Sequence, residues 1–116
     1  MKTYLAVFTG SVEAMARWQA LSEAEREERQ AAGLKAWGAW VAGHASSIVD
    51  GGAPLGRTRK VSRAGIADIR NQLAAYTVVR APSHEAAARL FEGHPHFTLF
   101  PGEGVEVMEC LPVPGA

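Results

Sequence analysis

Leu73-Ala74-Ala75-Tyr76-Thr77-Val78-Val79-Arg80-Ala81, followed by Pro82-Ser83-His84-Glu85, decides how the chain is read. The first nine residues are mostly apolar, with a β-branched centre at Thr77-Val78-Val79, and they predict a strand. Pro82 has no N–H to give a ladder and stops the strand. Ser83 is placed to cap a helix, with Glu85 in the first turn, where the helix dipole favours an acid. Ala86, Ala87, Leu90 and Phe91 supply the buried side of that helix, and Gly93 ends it ahead of Pro95.

Upstream the same order of elements occurs once before. Tyr4 to Phe8 is short and apolar and reads as a buried strand. Gly10-Ser11 ends it, and a helical stretch runs from about Val12 to Ala42 in two pieces. The break falls at Ser22-Glu23-Ala24-Glu25, the pattern of a capping box, in which hydroxyl and carboxylate each satisfy a free backbone N–H. Leu34, Trp37, Trp40, Val41 and His44 form one helical stripe, and Gly43 is the expected stop. Ser47 to Asp50 reads as a second strand ending at Gly51-Gly52, with a turn at Ala53 to Gly56. Arg57 to Arg63 reads as an exposed strand or hairpin arm, and Ala64 to Gln72 has no clear pattern. Downstream, Val105 to Leu111 alternates as a half-buried strand does, and 112–116 is a flexible tail.

The elements assemble as an α+β, ferredoxin-like βαββαβ fold. A four-stranded antiparallel sheet carries its helices on one face, within a single domain over 1–116. The other face of the sheet has no helix to cover it. Strand residues such as Ala6, Phe8, Tyr76 and Val78 cannot all find one, so a homodimer joined through this face is expected.

Composition narrows the function. The chain has 116 residues, 47% of them hydrophobic and 21% charged, which is ordinary for a globular domain. Twelve Lys and Arg balance twelve Asp and Glu, leaving none of the positive excess by which nucleic-acid binders displace counterions. The one cysteine, Cys110, excludes an internal disulfide and a cysteine-based zinc site. The apolar run after Met1-Lys2 is too short for a signal-peptide core, and nothing approaches a membrane span, so a cytoplasmic location is expected. Gly102-Glu103-Gly104 lacks the strand-loop-helix setting of a phosphate loop, and there is no dinucleotide fingerprint. No cofactor is expected.

Several residues have the chemistry for a site. Asp50 ends a strand before two glycines that admit a ligand, and His94 follows the second helix. Brought together, the carboxylate would orient the imidazole as a general base; held apart, Asp50 is a turn residue and His94 a helix end. His94-Pro95-His96, read as extended, would turn both imidazoles one way toward a metal that Asp50 or Glu103 would have to complete, but two ligands do not make a site and no metal is expected. Arg57-Thr58-Arg59-Lys60-Val61-Ser62-Arg63 has four cations in seven residues, suited to an anionic substrate group or to keeping an edge arm from pairing. Trp37 and His96 are candidate ligand contacts, with a core or interface role the plainer reading of the tryptophan.

Four segments carry a resemblance to a known family. Trp37-Gly38-Ala39-Trp40, Ile48 to Leu55, Gly93-His94-Pro95-His96-Phe97 and Val105-Glu106-Val107 fall in the order in which the YCII-related family has them. The resemblance spans nearly the whole chain. It implies a dimeric α/β barrel formed by two ferredoxin-like sheets, and a His/Asp active site. It also brings in the dehydrochlorination of a chlorinated hydroxyhydroquinone. Shorter members carry a histidine in the first long helix; the stretch near Leu34-Lys35 has none, so the resemblance points to His94 instead. Two functions stay open: a cofactor-independent lyase or isomerase acting on a small organic molecule through Asp50 and His94, and a non-catalytic homodimer binding a small molecule or a protein.

Overall fold

The structure is a computed structural model that describes residues 1–115. Its core is a four-stranded sheet in the order β2-β5-β1-β6, built from β1 (Lys2–Thr9), β2 (Ile48–Pro54), β5 (Leu73–Ala81) and β6 (Gly104–Glu109). All its pairings are antiparallel. The two strands between β2 and β5, β3 (Thr58–Ser62) and β4 (Gly65–Ile69), form a separate hairpin. The helices are α1 (Val12–Gln19), α2 (Glu23–Gly43), α3 (His84–Arg89) and the single turn α4 (Pro95–Thr98). This is the expected α+β, ferredoxin-like arrangement.

Local chemistry sets the helix ends. Ser11 accepts from Ala14 N at 3.0 Å and starts α1; Ser83 accepts from Ala86 N at 3.1 Å and starts α3. At Ser22 the capping box is complete, with Oγ accepting from Glu25 N and Glu25 Oε1 accepting from Ser22 N, both at 3.1 Å. The Ser22 backbone N–H first, and the Ser22 hydroxyl beside it second, favour the ionised Glu25 carboxylate and hold its pKa below the usual value.

The pleat sorts the strand residues between two faces. Tyr4, Ala6 and Phe8 of β1 point to the helices with Val79 and Ala81 of β5, and Ala87 and Phe91 close over them. Fully burying a side chain like Phe8 stabilises by roughly 1.5–3 kcal/mol. Leu5 and Val7 point the other way, beside Val78 and Tyr76 of β5 and Met108 and Glu106 of β6. That face carries no helix. Ala6 and Phe8 therefore belong to the covered side, and Tyr76 and Val78 to the bare one.

Four expectations change. First, β2 does not stop at Gly51-Gly52 but continues to Pro54, because two register shifts absorb the glycines. Gly52 has φ +71°, and a Cβ there would lie 1.7 Å from the Tyr76 carbonyl oxygen, so only glycine fits. Second, Ala64 to Gln72 contains β4, paired residue for residue with β3. Third, the helical stripe is narrower than expected: Leu34 is 70% exposed and the inward line runs Gly33, Trp37, Trp40, His44. Gly33 takes the inward place because Phe100 lies against it; a Cβ there would sit 2.5 Å from the ring. Fourth, Pro95–Thr98 is helical, not extended. Of the tail over 112–116, Ala116 lies outside the described residues, and Val113 is exposed.

Candidate functional site

His94 is fully buried between the sheet and α2. Its ring is centred 4.5 Å from that of Trp37, 4.7 Å from Trp40 and 5.0 Å from Phe8. Nδ1 accepts the backbone N–H of His96 at 3.0 Å, capping α4, so the proton of the neutral ring sits on Nε2. Nε2 is buried with no hydrogen-bond partner among the described residues, and the rings of Phe8, Trp37, Trp40 and Phe91 crowd the imidazole. Burial drives the His94 pKa down to about 4, and repulsion from His96 and His44 adds to the effect. His94 is thus neutral across the neutral pH range.

Asp50 is exposed, and its Oδ1 accepts from Gly52 N at 2.8 Å, closing its own turn. It stands opposite Val78, a bare-face residue, whereas His94 packs on Phe8 on the helix side. Among the described residues no hydrogen bond or ion pair joins the two side chains. The acid–base pair expected from the sequence is not formed within one protomer, because the sheet lies between its members.

The paired-imidazole geometry is not formed either. It needed an extended segment, and the helical turn at Pro95 gives the two rings different partners. His96 Nε2 donates to Thr9 O at 2.8 Å and so ties α4 to the end of β1. The His96 carbonyl accepts from Gly102 N at 2.9 Å. Among the described residues no cluster of three or more metal-binding side chains occurs.

Arg57 and Arg59 lie elsewhere, at the root of the β3–β4 hairpin. They line a cleft of about 590 Å³ together with Arg70, Asn71, Leu55, Ile69 and Leu73. Arg59 Nε is 3.5 Å from Asp68 Oδ1, with both side chains mostly exposed. Arg57 and Arg70 have no carboxylate within 4 Å among the described residues, so their guanidiniums are free for a ligand. Asn71 braces the root, donating from Nδ2 to Thr58 Oγ1 at 3.1 Å and accepting from Leu73 N at 3.0 Å. Asn71 and Leu73 also line a second cavity of about 310 Å³, which His96 and Phe100 close. The two cavities adjoin.

The structure therefore divides the expected site residues. Trp37 and His94 belong to the closed aromatic layer, Arg57 and Arg59 to the cleft, and His96 bridges layer and cavity. Asp50 stands apart from all of them. Arg70, Asn71 and Phe100 were not singled out in the sequence. Pairing Arg57–Arg63 with the next segment through a turn near Arg63-Ala64-Gly65 would have placed Arg70 and Asn71 beside Arg57, since Thr58 pairs with Ile69.

No family model matches the chain, and no curated protein matches it. Among solved structures it is similar to 5-chloro-2-hydroxyhydroquinone dehydrochlorinase from Burkholderia phenoliruptrix AC1100, in complex with 2,5-dihydroxybenzoquinone. The match has a TM-score of 0.50 at 15% identity and covers 90% of this chain and 89% of that one. At that identity the likeness speaks for the fold. No helix of the described residues is long and apolar enough to cross a membrane.

Proposed function

We propose that this protein is a homodimer of the α/β-barrel kind that binds a small organic anion in the cleft at the root of the β3–β4 hairpin. The observation that supports it best is the cleft itself: Arg57, Arg59 and Arg70 converge on about 590 Å³ that also has the apolar wall of Leu55, Ile69 and Leu73. Guanidiniums match carboxylate-like groups in a planar, two-point geometry, and the apolar wall suits a flat carbon skeleton. The adjoining cavity lets such a ligand extend toward His96. Two copies meeting through the bare face would cover Leu5, Val7, Tyr76 and Val78.

Titration calorimetry with 2,5-dihydroxybenzoquinone and with terephthalate tests the reading. The first is a vinylogous diacid and the second a plain aromatic dicarboxylate, so both present flat dianions. Binding of either, weakened about tenfold by Arg57→Ala or Arg70→Ala, supports it. No binding at millimolar concentration, or equal binding by the variants, overturns it.

A second reading rests on the unpartnered Nε2 of His94. A buried polar atom with no partner calls for an explanation, and a proton-transfer role in a cofactor-independent lyase or isomerase supplies one. In that reading His94 acts without Asp50 of the same protomer. Chloride release from 5-chloro-2-hydroxyhydroquinone, lost in His94→Gln, would support it; no release by the unmodified protein would reject it for this substrate.

A further inference from the structure

The β3–β4 hairpin is an arm without a seat. Its strands pair with each other, and of their ten residues nine are exposed, Thr58 being half-buried. A lone two-stranded hairpin is marginally stable in water, so this one calls for a second surface. The chain's shape shows how far it reaches. The radius of gyration is 16.1 Å, against about 13 Å for a compact chain of this length, and the extents are 54 × 42 × 19 Å.

The arm's chemistry says what kind of surface fits. Near its tip Val61 pairs with Ile66, 76% and 71% exposed. Residues 57–70 hold five cations and one carboxylate, so this segment is four charges positive and the rest of the neutral chain four negative. The bare sheet face offers the complement. On its β6 margin, Met108 stands beside Leu5 and is 40% exposed. Glu106, exposed beside Val7, forms no ion pair among the described residues. An apolar tip flanked by cations thus meets an apolar strip flanked by a carboxylate.

We propose that the arm tip docks on the β6 margin of the bare face of a second copy, with Val61 and Ile66 on Met108 and Leu5, and with Arg63, two residues on from Val61 and so on its side of the hairpin, toward Glu106. Opposite charge on the two surfaces selects another copy of the same chain over an unrelated partner. The centre of the face, at Val7, Tyr76 and Val78, stays free for the partner's own sheet. Each arm then carries its root cleft to the subunit boundary, so the partner closes the arginine site. This inference rests on the homodimer reading of the previous section.

Sedimentation velocity over a dilution series tests it on the full chain, with Val61→Asp/Ile66→Asp and, separately, Arg63→Glu. Far-ultraviolet dichroism checks that each variant folds. The expected result is a dimer of the unmodified protein whose dissociation constant rises at least tenfold in the double variant. A smaller, salt-dependent rise is expected in Arg63→Glu, reversed by adding Glu106→Lys. A dimer equally tight in both arm variants overturns the docking while leaving the homodimer standing. An unmodified protein that stays monomeric at 10-fold dilution from about 100 µM, an ordinary working range for a weak dimer, removes the homodimer itself.

Discussion

The aromatic layer around His94 and the arm around Arg57 and Arg59 are opposites built by one chain. In the layer, polar groups are few and enclosed: His94 is fully buried, and His96 is 7% exposed and tied to the β1 carbonyl of Thr9. On the arm, charge and apolar surface are both left in water. The same residue types therefore mean different things in the two places. His94 in the layer is a neutral packing element, whereas Arg57 and Arg70 at the arm root line an open cleft with no carboxylate partner among the described residues. Stability should reside in the layer and recognition on the arm, and variants in each place should separate the two.

The sharpest break would come from Phe8, whose ring touches those of Trp37, Phe91, His94 and His96. Phe8→Ala is expected to cost about 3–5 kcal/mol, because the rings around it cannot all collapse into the space. Chemical denaturation measures this. A loss under about 1 kcal/mol would mean that the layer is loosely packed and that the contrast with the arm is false.

His94 gives the layer a pH signature. Its folded pKa, about 4, lies below the ordinary 6.5, so below that pH the unfolded chain binds a proton that the folded one refuses. The stability this group contributes is present above pH 6.5 and is lost as the pH falls toward 4. The full loss is about 3 kcal/mol. His94→Asn should flatten this part of the stability–pH curve, whatever it does to the absolute value. A curve of unchanged slope would move the burial penalty to another group.

Most of the fold was legible, and the reasons are local. Leu73 to Ala81 reads as a strand because its β-branched centre and the following Pro82-Ser83 agree. The helix break at Ser22 reads correctly because a capping box is a contact within four residues. What misled was long-range. Gly51-Gly52 looks like a strand end until the Tyr76 carbonyl is seen pressed against Gly52. Leu34 looks inward until Phe100 takes the place over Gly33. The candidate site suffered most, since Asp50 and His94 share no contact and the cleft depends on Arg70, contributed by a strand partner that periodicity alone did not reveal.

On the arm, the expected effects are on binding and leave the melting temperature alone. Arg57→Ala and Arg70→Ala each remove a guanidinium without a carboxylate partner, so each should weaken an organic dianion about tenfold, or about 1.4 kcal/mol. Arg59→Ala should do less, because part of its charge is already turned to Asp68 at 3.5 Å. Calorimetry on the three variants gives the ranking. If Arg59 proves the strongest, the ion pair with Asp68 opens on binding, and the arm root is less preformed than its geometry implies.

The smallest effect tests the separation from the other side. Ser22→Ala removes the hydroxyl that accepts from Glu25 N and leaves Glu25 to cap alone. The expected loss is about 1 kcal/mol, read as a fall of ~3–5 °C in the melting temperature. Helix α2 carries Trp37 and Trp40 against the core, so its fraying loosens the layer from one end. The arm cleft takes no residue from α2, and anion affinity should not change. Should affinity fall together with the melting temperature, layer and arm would be coupled. The route would be the cavity beside His96, where Phe100, the residue packed against Gly33 of α2, also forms a wall.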